Sequence, residues 1–415
     1  MPSCTNSSAL NYSSPAHGGG GLVRMGLMVP ESHELFVCPF ACGRHGAIAA
    51  IHHGYKDRVS YLYIDEADIV SGGYEDLILE AVDELLEALG YHPKVLMIIV
   101  SCLDDLLGTD HDAFLRMLRE KYPHMRFTVG HMNPISLDGK LPPPINIQCK
   151  MYGLLEKRSQ NPNAVNLVGN ISPISKHSEL CRTLEEHGYS VRQIGWCESF
   201  DDFLQMGESC LNIVTIPSGL QAAKQMQLDL GIDYIYLPLA HDVDEMDGYY
   251  KQLFAKLLWE TPANFDNWHR SLSEKAAQIL SIVGDREVSV DHSSTIRPFS
   301  LAKTLVRYGF SVREVLANEC PPLEESSLEW LRKHTSAVWL NPNHYTAVKR
   351  PHNPETLSVG FESGYYNSSQ HAVGLVECEG LYGYHGLEQI LDMMAVAAQA
   401  TTDVKKMIAE YGLVV

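Results

Sequence analysis

LILEAVDELLEALGYHPKVLMIIVSC, residues Leu77–Cys102, decides how the chain reads. Ile78, Val82, Leu85, Leu86 and Leu89 fall on one face of a helix, because apolar residues three and four apart share a face. Gly90 stands where a helix C-cap takes a left-handed residue, which glycine adopts without a Cβ clash. The run Val95–Val100 is apolar throughout, as expected of a parallel strand covered on both faces.

The phrase recurs twice, in SELCRTLEEHGYSVRQIGW (Ser178–Trp196) and FSLAKTLVRYGFSVREVL (Phe299–Leu316), each with Gly plus an aromatic between helix and strand. The three glycines, Gly90, Gly188 and Gly309, lie about 100 and about 120 residues apart, one small α/β domain each. Val165–Gly169 and Arg286–Val290 read as strands before the second and third copies. Leu211–Ile216, Tyr234–Leu239 and Ala337–Asn341 read as strands after them, and a long helix is expected from about Leu387. The expected fold class is α/β, three tandem Rossmann-like domains with parallel sheets at 31–150, 160–283 and 284–415. The Pro-rich Leu141–Ile145 and the polar Ser159–Asn163 separate the first two domains, and a helical Gly248–Val283 bridges the second boundary. Residues 1–30 are rich in Ser and Gly and read as an arm, either a disordered tail or, given Cys4, a tethered one.

Composition bounds the function. Of 415 residues 45% are apolar and 20% charged, an ordinary globular mix. The net charge of −19 argues against a nucleic-acid or anionic-membrane partner, which needs a basic face. No apolar run approaches the ~20 residues of a membrane span. The first thirty residues lack a secretory pattern, so a cytoplasmic protein is expected. Ten cysteines are scattered, with no CxxC and no zinc-finger spacing.

Cys102 directly follows the Val95–Ser101 run, and in parallel sheets ligands gather beyond the carboxyl ends of strands. The polar LDDLLGTD after it begins a turn or helix whose first amides face a possible anion. Cys42 and Cys38 lie in VCPFACGRHG, read as a Pro- and Gly-bearing loop ahead of the first clear strand, and Cys4 lies in the arm. Three converging thiols suit a soft metal or an iron–sulfur cluster; separate structural thiols are the alternative. Asp104–Asp105 and Asp110–Asp112 read as solvated or helix-capping, with cation binding the other option. There is no Walker A motif, so ATP hydrolysis by this chain is not expected.

Over nearly its whole length the chain resembles the nitrogenase component 1 superfamily. This includes nitrogenase α and β chains, cofactor-assembly scaffolds and nitrogenase-like reductases. CPFAC (Cys38–Cys42) is similar to the family's G-P-x-G-C turn, and IVSGGYEDLILEAVDEL (Ile69–Leu85) to its FGG helix start. VSCLDDLLGTD (Val100–Asp110) is similar to its strand–Cys–helix segment, and YGYHGLEQIL (Tyr382–Leu391) to the Gly-Tyr turn before the last helix. The resemblance implies three Rossmann-like domains. It also implies an iron–sulfur cluster, [4Fe–4S] or the eight-iron P-type, ligated at a subunit interface by Cys4, Cys42 and Cys102, with Cys38 the rival to Cys42.

Implied partners are a homologous component-1 subunit, identical or α-type, in a dimer or α2β2 assembly, and a separate ATP-dependent iron–sulfur reductase. Nitrogenase α chains carry a cofactor Cys after a second-domain strand; here that strand ends in Ile216-Pro217, and Cys210 lies before it. His371, read as solvated or capping, and Cys378, read as a buried thiol, do not fall on the family's cofactor-histidine position. The chain therefore resembles a β-type relay subunit of a nitrogenase-like reductase, with methylthio-alkane reduction among the family chemistries. A non-catalytic scaffold for metal-cofactor assembly, or a three-lobed binder of a small ligand, are the alternatives.

Overall fold

The computed structural model describes residues 11–15, 21–133, 141–260, 265–376, 378 and 380–413. Cys4 lies outside them. The chain packs as two units. One is Gly20–Pro173 with His187–Pro238, and the other is built mainly from Ile174–Glu186 and Leu239 onward.

The first unit holds two four-stranded parallel sheets. β1 (Ser32–Cys38), β2 (Val59–Tyr63), β3 (Val95–Val100) and β4 (Arg126–His131) form one, in the order β2-β1-β3-β4. β5 (Asn161–Val168), β6 (Ser190–Arg192), β7 (Ser209–Val214) and β8 (Asp233–Tyr236) repeat that order as β6-β5-β7-β8. Every residue of β1 and β3 is buried, and their side chains feed two separate cores. Val95, Met97 and Ile99 pack with Phe36 and Cys38 against helix Pro143–Tyr152. Leu96, Ile98 and Val100 pack with Leu35 and Val37 against helices Tyr74–Leu89 and His111–Lys121. A strand sandwiched in this way has no polar face, which is why its sequence does not alternate.

The second unit holds one five-stranded parallel sheet. Its strands are β9 (Glu287–Asp291), β10 (Ser311–Leu316), β11 (Val338–Leu340), β12 (Leu357–Val359) and β13 (His371–Val373), in the order β11-β10-β9-β12-β13. The fold is thus α/β with three parallel sheets, as expected. The three phrase glycines are all left-handed, with φ of 68° at Gly90, 80° at Gly188 and 93° at Gly309.

Two local expectations fail and two strands go unread. Part of the supposed arm, Gly21–Gly26, is helical and contributes Val23 and Met25 to the core. The strands β12 and β13 carry no expectation, because LSV (Leu357–Val359) and HAV (His371–Val373) are short and mix polar with apolar residues, unlike the equally short but wholly apolar VWL of β11. VCPFACGRHG is not a loop before the first strand: Cys38 ends β1 and Cys42 sits in helix Phe40–His52. Pro39, with φ −56°, is its N-cap, and proline at a helix start gives up no needed N–H.

Two buried carboxylates make stability predictions. Glu34 on β1 is fully buried and neither of its oxygens has a hydrogen-bond partner among the described residues. Burial raises its pKa well above the ordinary value, with the Arg58 guanidinium opposing. The folded chain then keeps a proton that the unfolded chain releases. Stability from this group is full below the ordinary carboxyl range and is lost as pH rises through it towards the folded value. Glu34→Gln should flatten that loss and gain about 1–3 kcal/mol at mildly alkaline pH, read by urea unfolding at acidic and alkaline pH. Identical pH slopes in the two proteins would refute it.

Glu179, in the second unit, accepts from Tyr250 Oη (2.6 Å), Tyr384 N (2.7 Å) and His385 N (3.0 Å) at the start of helix Gly383–Gln399. Gly383 has φ 68°, and a Cβ there would lie 1.8 Å from Glu179 Oε1. Gly383→Ala should therefore cost about 2–4 kcal/mol, from a left-handed non-glycine and a blocked carboxylate together. An unchanged melting temperature would contradict this.

Candidate metal centre at a sheet edge

In the order β2-β1-β3-β4 the chain leaves β1 towards β2 and returns to β3 on the other side. The crevice beyond the carboxyl ends of β1 and β3 is therefore a topological switch point, where open α/β sheets bind ligands. Val37 pairs with Val100, and Ser101 N donates to Val37 O at 3.3 Å, so the two strand ends lie side by side. Neighbouring strands are ~4.8 Å apart.

Each strand end delivers one candidate thiol. From β1, Pro39 turns the chain so that Cys42 N donates to Pro39 O at 2.9 Å, placing an exposed Cys42 in the helix's first turn. From β3, Cys102 is the first residue of helix Cys102–Leu107 and is half-buried. The amides after it are already used, Leu103 N on Ser101 Oγ at 3.4 Å and Asp104 N on Ser101 O at 3.2 Å. They do not face a free anion.

Cys38 behaves differently. It is wholly buried in the apolar core, and burial, with a smaller contribution from Cys42, pushes its thiol up to about 12. A Cβ on Gly43 would lie 3.1 Å from its sulfur, so the helix packs closely over it. Thiolate character favours ligation, and the environment of Cys38 works against it while Cys42 faces solvent.

The same edge gathers groups that the sequence did not single out together. Asp104 is buried rather than solvated; its Oδ2 lies 2.7 Å from His111 Nε2, and its Oδ1 accepts from Tyr74 Oη at 3.2 Å. His131 ends β4, with Nδ1 3.5 Å from Asp105 Oδ1, whose partner oxygen accepts from Asn133 Nδ2 at 2.7 Å. Asp110, as a helix cap, accepts from Ala113 N at 3.0 Å. The only signal for the histidines was their place, one at a helix start and one at a strand end, which periodicity does not reveal.

Three other residues that the sequence singled out have partners within the fold. Neither β5 nor β7 is followed directly by a cysteine; Cys210 lies at the opposite end of β7, its thiol 3.3 Å from Pro162 O. His371 is buried rather than solvated and caps helix Gly383–Gln399, Nδ1 donating towards Ala397 O and Ala400 O at 3.0 and 2.9 Å. Cys378 is buried, 3.8 Å from His241 Nε2. Among the described residues no helix is long and apolar enough to cross a membrane.

Comparison with known proteins places this edge in context. A family model described as nitrogenase component 1 type oxidoreductase matches residues 19–399. The nitrogenase iron-molybdenum cofactor biosynthesis protein NifE of Clostridium pasteurianum is 22% identical over 217 residues, 50% of this chain and 46% of that protein. The match thus spans about half the length of that relative. Among solved structures, nitrogenase Cp1 at pH 6.5 superposes with a TM-score of 0.70 at 14% identity, covering 96% of this chain and 95% of that one. Nitrogenase Cp1 at pH 5 gives 0.65 at 15% identity, with 97% and 91% covered.

Proposed function

The chain belongs to the nitrogenase component 1 type oxidoreductases, and from that we propose that it is the electron-relay subunit of a nitrogenase-like reductase. Cys42 and Cys102, joined by Cys4, would hold an iron–sulfur cluster at a subunit interface. The observation that carries the reading is that the two thiols stand in the first turns of the helices that follow the two strands flanking the switch point of the first sheet. The donor set fits the group: both are free thiols with solvent access, and soft thiolates are the ligands such clusters take. When bound, the cluster supplies one-electron transfer at low potential.

This chain's own part is to hold the thiols in place. Pro39 and Ser101 fix the two helix starts from which the thiols project. Gly43 lets helix Phe40–His52 lie against Tyr61 and Tyr63, which a Cβ would meet at 3.2 and 2.9 Å. The two helices that carry the thiols also expose large apolar side chains, with Phe40 63% and Leu106 83% exposed. Exposed apolar surface of this kind suits burial by another subunit, and three thiols from one chain leave a cluster with ligands to find. We therefore place a homologous component-1 subunit there, in a dimer or α2β2 assembly, with an ATP-dependent reductase component as electron donor. The three-domain division at 31–150, 160–283 and 284–415 belongs to the same proposal. Reduction of a methylthio-alkane is the substrate class we favour.

The NifE relative favours a second reading, a non-catalytic scaffold on which a metal cofactor is assembled. One experiment separates them. The protein, with its partner subunit and the reductase component, is given ATP, reductant and methylthio-alkanes under anaerobic conditions. Turnover supports the relay. Transfer of a metal cofactor to a cofactor-free enzyme, without turnover, would replace it with the scaffold.

A further inference from the structure

We infer that Asp104, His111 and His131 form a mononuclear site for a divalent transition-metal ion, distinct from the proposed thiolate site. One carboxylate oxygen and one ring nitrogen from each histidine all lie within 4.8 Å of one another. A single ion with bonds of ~2.0–2.2 Å reaches donors up to ~4.4 Å apart, so small side-chain adjustments close such a set round one ion, and two imidazoles with one carboxylate suit zinc or ferrous iron.

The three donors come from different elements. Asp104 is in helix Cys102–Leu107, His111 opens helix His111–Lys121, and His131 ends β4. Two of them have a polar group behind. Tyr74 Oη holds Asp104 Oδ1 at 3.2 Å, so the other oxygen is left to face the histidines. Asp105, itself fixed by Asn133, lies 3.5 Å from His131 Nδ1. A carboxylate that closes to hydrogen-bond distance behind a ligand imidazole sets its tautomer and raises its basicity. The rings of His111 and His131 are 5.1 Å apart.

A plain tether between two helices would need only the 2.7 Å contact of His111 with Asp104. It would not need a second imidazole facing the same carboxylate. Three protein donors, with the histidines partly open to solvent, leave a fourth position for water or a small ligand.

The test uses cobalt(II) on the anaerobic full-length protein after chelation, followed by zinc(II) displacement. The site predicts one cobalt per chain with visible d–d bands of a nitrogen–oxygen site, bleached by zinc. X-ray absorption should find two imidazole ligands and no sulfur. His111→Ala and His131→Ala should each weaken cobalt binding by more than the ~10–100-fold that loss of a supporting group costs, and Asp105→Asn by about that amount. Iron and acid-labile sulfide should be unchanged in all three variants, which keeps this test independent of the thiolate site. Sub-stoichiometric binding, sulfur ligation of the cobalt, or unaltered affinity in the His111→Ala/His131→Ala protein would each overturn the inference and leave the tether.

Discussion

Cys102→Ala should lose most of its bound iron and, with it, most of its subunit assembly. Cys102 starts a helix directly beyond β3, beside the strand end that delivers Cys42. If a group bridges two chains through these thiols, its binding energy is also assembly energy, so the two must fall together. Cys42→Ala should behave alike. Cys149→Ala is the control: that thiol lies on helix Pro143–Tyr152, against the core rather than at the edge. Iron per chain and sedimentation of these variants and of Cys38→Ala read the effect. Full iron in Cys102→Ala would remove that residue from the site, whereas iron lost from Cys38→Ala but kept in Cys42→Ala would exchange the roles of the two.

The largest stability loss is expected from Arg297→Met. The Arg297 side chain is 2% exposed; its Nε lies 2.7 Å from Glu324 Oε1 and its Nη2 3.0 Å from Glu245 Oε2. The remaining donors go to Leu239 O at 2.8 Å and Leu323 O at 2.7 Å. Glu324 is fully buried and also receives Phe299 N at 2.6 Å. Taking the cation away strands that carboxylate, at a cost of about 3–5 kcal/mol. The pair as a whole is worth far less, because both charges were desolvated to make it. Arg297→Met with Glu324→Gln should therefore recover much of the loss, which a double-mutant cycle in urea reads. A loss under ~1 kcal/mol in the single variant would mean that solvent reaches Glu324.

The sequence carried the repeating part of the fold and little of its punctuation. Leu77–Cys102 was legible because a 16-residue amphipathic helix, a left-handed glycine and a doubly covered strand each leave a pattern. The short, mixed strands β12 and β13 leave none, and their place is set by pairing, β12 with β9 and β13 with β12. CPFAC misled because one proline both ends a strand and starts a helix. At the site, the strand-end position of Cys102 was visible from the apolar run before it. That Asp104, two residues on, turns inward to His111 depends on packing between helices, a tertiary fact that local sequence does not encode. Buried Glu34 and Arg297 were invisible for the same reason: charge gives no sign of burial until its neighbours are placed.

The account rests on sulfur ligation of iron by this chain, and chemical analysis of the anaerobically purified full-length protein addresses it most directly. Iron and acid-labile sulfide are measured together after reconstitution in reducing buffer, beside the Cys42→Ala/Cys102→Ala protein. The prediction is a brown protein holding both elements in comparable amounts, with both lost from the double variant. A colourless wild type, or iron without sulfide that survives removal of the two thiols, would contradict it.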